Sequence, residues 1–292
     1  MFNRALLIAC LMIPMAAMAQ VCLVSKGKQQ GRIVLVEDND VNRKAATLLQ
    51  RFVRETSGGE LKIIATTKRA KNDVVIGEKT MEATDDGYVI DCSNGTLAIK
   101  SAGGKGAIYG VATLLEKFVG VDYLAKDFYT LTPSADIRIP KMHVAESPAF
   151  RFRQTFSYSN NDNTYRDWMR LHDHSEVFAN DMWVHTFDRL LPSSVYGKAH
   201  PEYYSFISGE RRPGNHSQWC LSNPEIFEIV ANRIDSIFKA NPGRNTISVS
   251  QNDGNDTYCQ CPECKKVNEH EGSPAGGYIR ILNRLAERSP DK

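Results

Sequence analysis

The pattern of apolar and polar positions divides the chain into two stretches with different grammar. RIVLV, from Arg32 to Val36, is a continuous apolar run of strand type, and Asp40 can cap a helix whose Val41, Ala45, Leu48, Leu49 and Phe52 share one face. Ser57, Gly58 and Gly59 end that helix. Four strand-like pieces follow, LKIIA, DVVIG, YVID and TLAIK, and Ser93, Asn94 and Gly95 join the last two as a hairpin turn. Past Gly103 and Gly104, Ile108, Val111, Leu115 and Phe118 recur at helical spacing. Residues 31–140 are therefore predicted to form an α+β domain, a compact sheet with helices on one face.

Thr132, Pro133, Pro140 and Pro148 punctuate the next stretch and mark a domain junction. Beyond it, FRFRQTF reads as a strand, TYRDWMRLHDH as a helix, DMWVHTF as a strand and HSQWCL as another. Ser222, Asn223, Pro224 and Glu225 supply a capping box with proline in the first turn, ahead of a helix that buries Ile226, Val230, Ile234 and Ile237. TISVS is a fourth strand, and Ser273 with Pro274 opens a last helix through Tyr278, Ile281, Leu282 and Leu285. Strands alternating with helices predict a parallel sheet, here a (β/α) barrel of TIM type over 141–292. Such a barrel takes about 250 residues and about 150 follow the junction, so its first half, roughly four βα units, is what the chain carries.

Composition narrows the class. With 292 residues, 42% of them hydrophobic, two ordinary domains can each bury a core. A net charge of +2, from 36 basic and 34 acidic residues, gives no footprint for nucleic acid or an anionic membrane. At the N-terminus, Arg4 precedes ALLIACLMIPMAAMA, which reads as a signal peptide over 1–19 with cleavage after Ala19. No segment reaches the roughly 18 apolar residues of a spanning helix. The expected location is exported, either periplasmic or at the cell surface. Of seven cysteines, Cys10 lies in the signal, Cys22 and Cys92 are isolated, and Cys220, Cys259, Cys261 and Cys264 remain for the C-terminal half. These four can bind a structural zinc or form two disulfides, the latter suited to an oxidising compartment.

Several strings resemble known families. SAGGKGAIYGVATLLEKFVGVDYLA resembles the segment that ends the N-terminal domain of bacterial β-hexosaminidases and α-glucuronidases, and SPAFRFRQTF resembles the start of the family-20 glycoside hydrolase barrel. HPEYYSFISGERR, WCLSNPE and the Cys-rich string NDGNDTYCQCPECKKVNEHEGSPAGGYIRILNRLAE together resemble the bacterial family named domain of unknown function 4838. The resemblance covers nearly all of the chain after the signal.

The family-20 resemblance implies candidate site residues. Asp253, after TISVS, occupies the place of the general acid that protonates the leaving oxygen, and Asn252 stands where that family has a second Asp. Asn lacks the charge that stabilises a cyclised intermediate, and NDGND is also a good turn. Arg153 matches an arginine that forks onto sugar hydroxyls; the alternative is a surface arginine on an alternating strand. His185 and Trp183 resemble the edge of the sugar pocket, where His can hydrogen-bond a hydroxyl and Trp can stack on a sugar face; a lone Trp on a strand can also be core. The resemblance thus implies an exported glycoside hydrolase-like protein acting on an oligosaccharide or polysaccharide, with no cofactor required. Two alternatives stay open: a non-catalytic carbohydrate-binding or assembly protein, and a zinc-organised interaction module.

Overall fold

A computed structural model describes residues 21–254 and 258–290; the signal peptide expected at 1–19 lies outside the described residues. The chain divides between Leu171 and His172 into two units. Among the described residues no helix is long and apolar enough to cross a membrane.

The first unit is the α+β domain that the periodicity predicts. Its strands are β1 (Val21–Ser25), β2 (Lys28–Gln29), β3 (Ile33–Leu35), then after helix α1 (Asp40–Ser57) β4 (Ile63–Ala65), β5 (Val74–Lys79), β6 (Tyr88–Ser93) and β7 (Thr96–Ser101). Helix α2 (Gly106–Leu114) runs on into one π-turn, and β8 (Val121–Ala125), β9 (Phe128–Leu131), β10 (Ile137–Ile139) and β11 (Met142–Glu146) follow. The main sheet has the order β11-β6-β7-β5-β3-β4. Strands β4, β3, β5 and β7 are parallel, whereas β6 and β11 are antiparallel to their neighbours.

Period-two alternation decides which side chains meet the helices. Ile33, Leu35, Val74, Ile76, Leu97 and Ile99 pack with α1 and α2 in one core, while Val34, Val75 and Ala98 form a narrow apolar row on the opposite face. Asn94 and Gly95, at φ 50° and 77°, close the β6–β7 hairpin as a two-residue turn with both central residues left-handed. The α1 cap sits one residue earlier than predicted: Asn39, not Asp40, is extended and accepts from the Asn42 N–H at 2.9 Å.

Both domain limits move outward. β1 pairs with β10, and β11 pairs with β6 residue by residue from Met142↔Cys92 to Glu146↔Tyr88, so the predicted boundary at 140/141 falls inside the sheet. Helix α3 (Asn163–Trp168) carries the unit to Leu171, because Trp168, 1% exposed, is buried edge-on against Phe52, ring centroids 5.5 Å apart. Burying such a side chain stabilises by about 2–3 kcal/mol. Asp167 beside it is also buried and pairs with Lys44 and, at 2.9 Å, with Lys105. FRFRQTF, predicted as the first barrel strand, forms no strand.

The second unit contains short helices α4 (His174–Val177), α5 (Phe187–Leu190) and α6 (Ser193–Tyr196), then a two-residue hairpin of β12 (Phe206–Ile207) and β13 (Glu210–Arg211). Helices α7 (Glu225–Ala240), α8 (Pro262–Glu271) and α9 (Ala275–Arg288) complete it. α7 and α9 bury the predicted faces, Ile226, Val230, Ile234 and Ile237 on one and Ile281 and Leu285 on the other. The predicted cap changes partner, since Asn223 accepts from the Glu225 N–H at 2.9 Å while Ser222 turns to the cysteines.

DMWVHTF, HSQWCL and TISVS are not strands among the described residues, and a closed barrel is not formed by them. What remains is an irregular parallel pairing of 178–186 with 246–250: Ala179 donates to the Thr246 carbonyl at 2.8 Å, Ser248 to Met182 at 2.8 Å and Thr186 to Ser250 at 3.0 Å. The Thr186 hydroxyl inserts into this ladder, donating to the Ser248 carbonyl at 2.8 Å and accepting from the Ser250 N–H at 2.9 Å. A side chain doing a strand's work leaves the ladder too irregular to be regular sheet.

Candidate functional site

The parallel pairing brings two of the sequence-predicted residues to one rim. His185 sits at φ 52°, a left-handed conformation, just before α5. Its ring is exposed, and Nδ1 lies 3.1 Å from the Gln251 carbonyl oxygen. With the carbonyl able only to accept, Nδ1 donates there, and Nε2 is the other nitrogen of this exposed residue. Asp253, two residues past Gln251, is exposed at the end of the partner segment. His185 and the Asp253 loop thus lie at the C-terminal ends of two parallel segments, the end at which barrel enzymes assemble their sites.

Asn252 has a different task. It is 6% exposed, its Nδ2 donates to the Ser217 carbonyl at 2.6 Å, and its Oδ1 accepts from the Asp188 N–H at 3.2 Å. Its backbone N–H and carbonyl are held by the Gln218 side chain at 3.0 and 2.7 Å. Each polar group of Asn252 therefore has a protein partner, and together they join three chain segments beside Asp253.

Trp183 is half-buried and stacks on His174 with ring centroids 4.7 Å apart and planes 13° from parallel, so one of its faces is covered by protein. Arg153 belongs to the first unit. Its Nε donates to the Arg170 carbonyl at 2.7 Å, Nη1 to the Phe150 carbonyl at 2.6 Å and Nη2 to Asp86 at 2.8 Å. With its fork bonded to protein acceptors and its side chain 15% exposed, Arg153 acts as a clasp of that unit.

One feature escaped sequence reasoning. A cavity of about 420 Å³ opens beside the rim, with Gln218, Trp219, Gln251, Tyr258, Arg280 and Arg284 among its lining residues. Amide, aromatic and guanidinium groups are the set that recognises sugar hydroxyls and faces, but they come from three stretches of the chain, 218–219, 251–258 and 280–284. Trp219 itself is pinned, stacked on Phe187 at 3.7 Å between centroids.

Next to that cavity the sulfurs of Cys220, Cys259, Cys261 and Cys264 lie within 4.8 Å of one another, all four residues buried. Cys220 Sγ is 3.7 Å from Cys261 Sγ and 3.9 Å from Cys264 Sγ, and no disulfide joins the four. Hydrogen bonds from Cys259 and Cys264 hold the Cys220 thiol well below the usual thiol range, against its burial and with help from Arg211 and Ser222. A second group, His200, Glu202 and Glu225, is also close enough to share an ion. Its members are partly exposed and already partnered: His200 Nδ1 lies 3.0 Å from Glu202, and the Tyr203 hydroxyl donates to Glu225 at 2.7 Å, which pushes that phenol up to about 12.

Residues 25–153 match the family model of glycosyl hydrolase family 20, domain 2. Among solved structures, the family-20 β-N-acetylhexosaminidase of Streptomyces coelicolor A3(2) is similar at 14% identity and a TM-score of 0.47, over 93% of this chain and 62% of that one. The chitobiase of Flavobacterium johnsoniae is similar at 12% identity and 0.44, over 91% and 48%. A mutant β-hexosaminidase of Streptomyces plicatus in complex with its product GlcNAc is similar at 17% and 0.35, over 46% of this chain and 24% of that one. The chain thus spans about a quarter of the length of the last and less than two thirds of the others. No curated protein matches it. Residues 123–292, more than half of the chain, match the family model described as domain of unknown function (DUF4838), and the chain belongs to that family.

Proposed function

We propose that this protein is an exported, glycoside hydrolase-like protein that takes a complex glycan at the rim formed by His185 and Asp253. The observation that carries the reading is the parallel pairing of 178–186 with 246–250, which sets two exposed residues, His185 and Asp253, at the same end of two segments. The match of residues 25–153 to a glycosyl hydrolase domain supports it, as does the signal-like run ahead of Ala19 for export. In this reading His185 Nε2 accepts from a sugar hydroxyl and Asp253 protonates the glycosidic oxygen as the bond breaks. The Gln251 and Tyr258 side of the cavity receives the neighbouring sugar.

A second reading, a glycan-binding protein without turnover, is favoured by Asn252, whose amide is spent on backbone and puts no carboxylate at the position preceding Asp253. The two part on one experiment. The purified chain is assayed for sugar release and for retention on immobilised glycans, beside Asp253→Asn. The hydrolase reading expects turnover that falls on the order of 100-fold or more in the variant while binding persists. Binding without release in both proteins favours the second reading, and neither binding nor release defeats both.

A further inference from the structure

We propose that Cys220, Cys259, Cys261 and Cys264 bind one zinc(II) ion as a closed, tetrahedral thiolate site, independently of what the rim does. The sulfur spacing is the first ground. At a Zn–S bond of about 2.3 Å, the edges of a regular S₄ tetrahedron are about 3.8 Å. Two of the separations here are 3.7 and 3.9 Å, and all lie within 4.8 Å. A disulfide needs about 2.0 Å, and its partners are then held apart from the other pair, whereas here all four sulfurs converge within 4.8 Å. A four-iron cluster would put each cysteine on a different iron and spread the sulfurs further.

The surroundings are those of thiolates. The Phe206 N–H donates to Cys259 Sγ at 3.3 Å, Arg211 Nη1 to the same sulfur at 3.7 Å, and Ser222 Oγ lies 3.1 Å from Cys264 Sγ. Four thiolates around a divalent ion form a dianion, which the Arg211 guanidinium and the N-terminal end of the ten-residue α8, opening at Cys261 and Pro262, offset. Binding releases the thiol protons to solvent and changes no oxidation state. All four cysteines lie between 3% and 6% exposed, so no coordination position is open to water or substrate and the site is structural, not catalytic.

Its location says what it holds. Cys220 precedes α7, the other three bracket the start of α8, and Gln260 donates to the Phe206 carbonyl at 2.7 Å, which draws in the β12–β13 hairpin. Regular sheet does not join these segments among the described residues. The ion fixes one end of the 252–259 stretch at Cys259, as Asn252 fixes the other at Gln218.

The test is elemental analysis of the full chain purified with and without reductant and dialysed against metal-free buffer, together with the intact mass of the unreduced protein. About one zinc per chain is expected, with cobalt(II) exchange giving the intense visible bands of a tetrahedral thiolate centre. Cys261→Ser and Cys264→Ser should lose zinc to background, whereas Cys22→Ser should retain it. Should the serine variants fail to fold, the wild-type stoichiometry decides alone. Titratable thiols at all four of these positions without metal, a mass four hydrogens short from two disulfides, or iron in place of zinc would each overturn the proposal.

Discussion

Asn252 and Gln218 exchange hydrogen bonds in both directions, the Asn252 N–H donating to Gln218 Oε1 at 3.0 Å and Gln218 Nε2 donating to the Asn252 carbonyl at 2.7 Å. A side chain here takes the part of a neighbouring strand for a buried backbone unit. Gln218→Ala leaves both groups without their partner and should cost about 2–3 kcal/mol, read as a lower urea midpoint of the second unit with an unchanged slope.

Asn252→Asp writes an acidic pair beside Asp253. The new carboxylate faces the Ser217 carbonyl, which now receives from Nδ2, so a donor becomes a like-signed acceptor in a buried place. We expect the variant to be destabilised by roughly 2 kcal/mol or more and to gain no sugar release. An Asn252→Asp variant that is as stable as wild type and more active would show that the brace is dispensable.

His185 tests the rim without disturbing the fold. Its φ of 52° is tolerated by Asn, which can occupy the left-handed region, so His185→Asn should preserve the backbone. Loss of one hydroxyl contact, worth about 1.4 kcal/mol, corresponds to about tenfold weaker glycan binding, measured by calorimetry or retention. Unchanged affinity would remove His185 from the site.

Arg153→Ala should act on the first unit alone. It strips donors from the Arg170 and Phe150 carbonyls and from Asp86, and should destabilise that unit by about 2–3 kcal/mol with glycan affinity unchanged. The opposite result, normal stability with lost binding, would return Arg153 to the sugar.

Acid sensitivity of the first unit follows from Asp73. Burial alone would raise its carboxyl, but the Arg32 fork at 2.6 and 3.0 Å, the Ala70 N–H and the Arg32 charge outweigh it and hold it below the usual range. A carboxyl lowered by folding contributes stability above its unfolded value of about 3.9, and that contribution is lost as pH falls through the lowered folded value. Unfolding midpoints should therefore be flat from neutral to about pH 5 and decline below about pH 4. Asp73→Asn should start less stable and decline less steeply.

The amphipathic elements were legible because each buries a stripe against its own neighbours: α1, α7, α9 and the β6–β7 hairpin lie where periodicity and turn chemistry put them. β10 and β11 were not, since three to five residues such as MHVAE carry little alternation and are defined by partners on β1 and β6. DMWVHTF and TISVS read as strands, yet Thr186 replaces part of the ladder between them. Among candidate site residues, the sequence grouped Cys220 with the Cys259, Cys261 and Cys264 trio, and the fold brings all four sulfurs together. Asn252 and Arg153 show the reverse case. At each, a position matched to a family's polar residue holds a group bonded to protein, Asn252 to backbone and Arg153 to backbone and Asp86, and only geometry reveals that.

The pairing of β1 with β10 and of β11 with β6 bears on how the chain acquires its structure. Strand β1 must wait for a partner more than a hundred residues downstream, a closure with a large entropy cost and a slow rate. During synthesis, the first unit cannot finish until Trp168 has emerged. A chain ended at Pro140 would leave β6 with a naked edge, open to pairing with a second copy and so to aggregation.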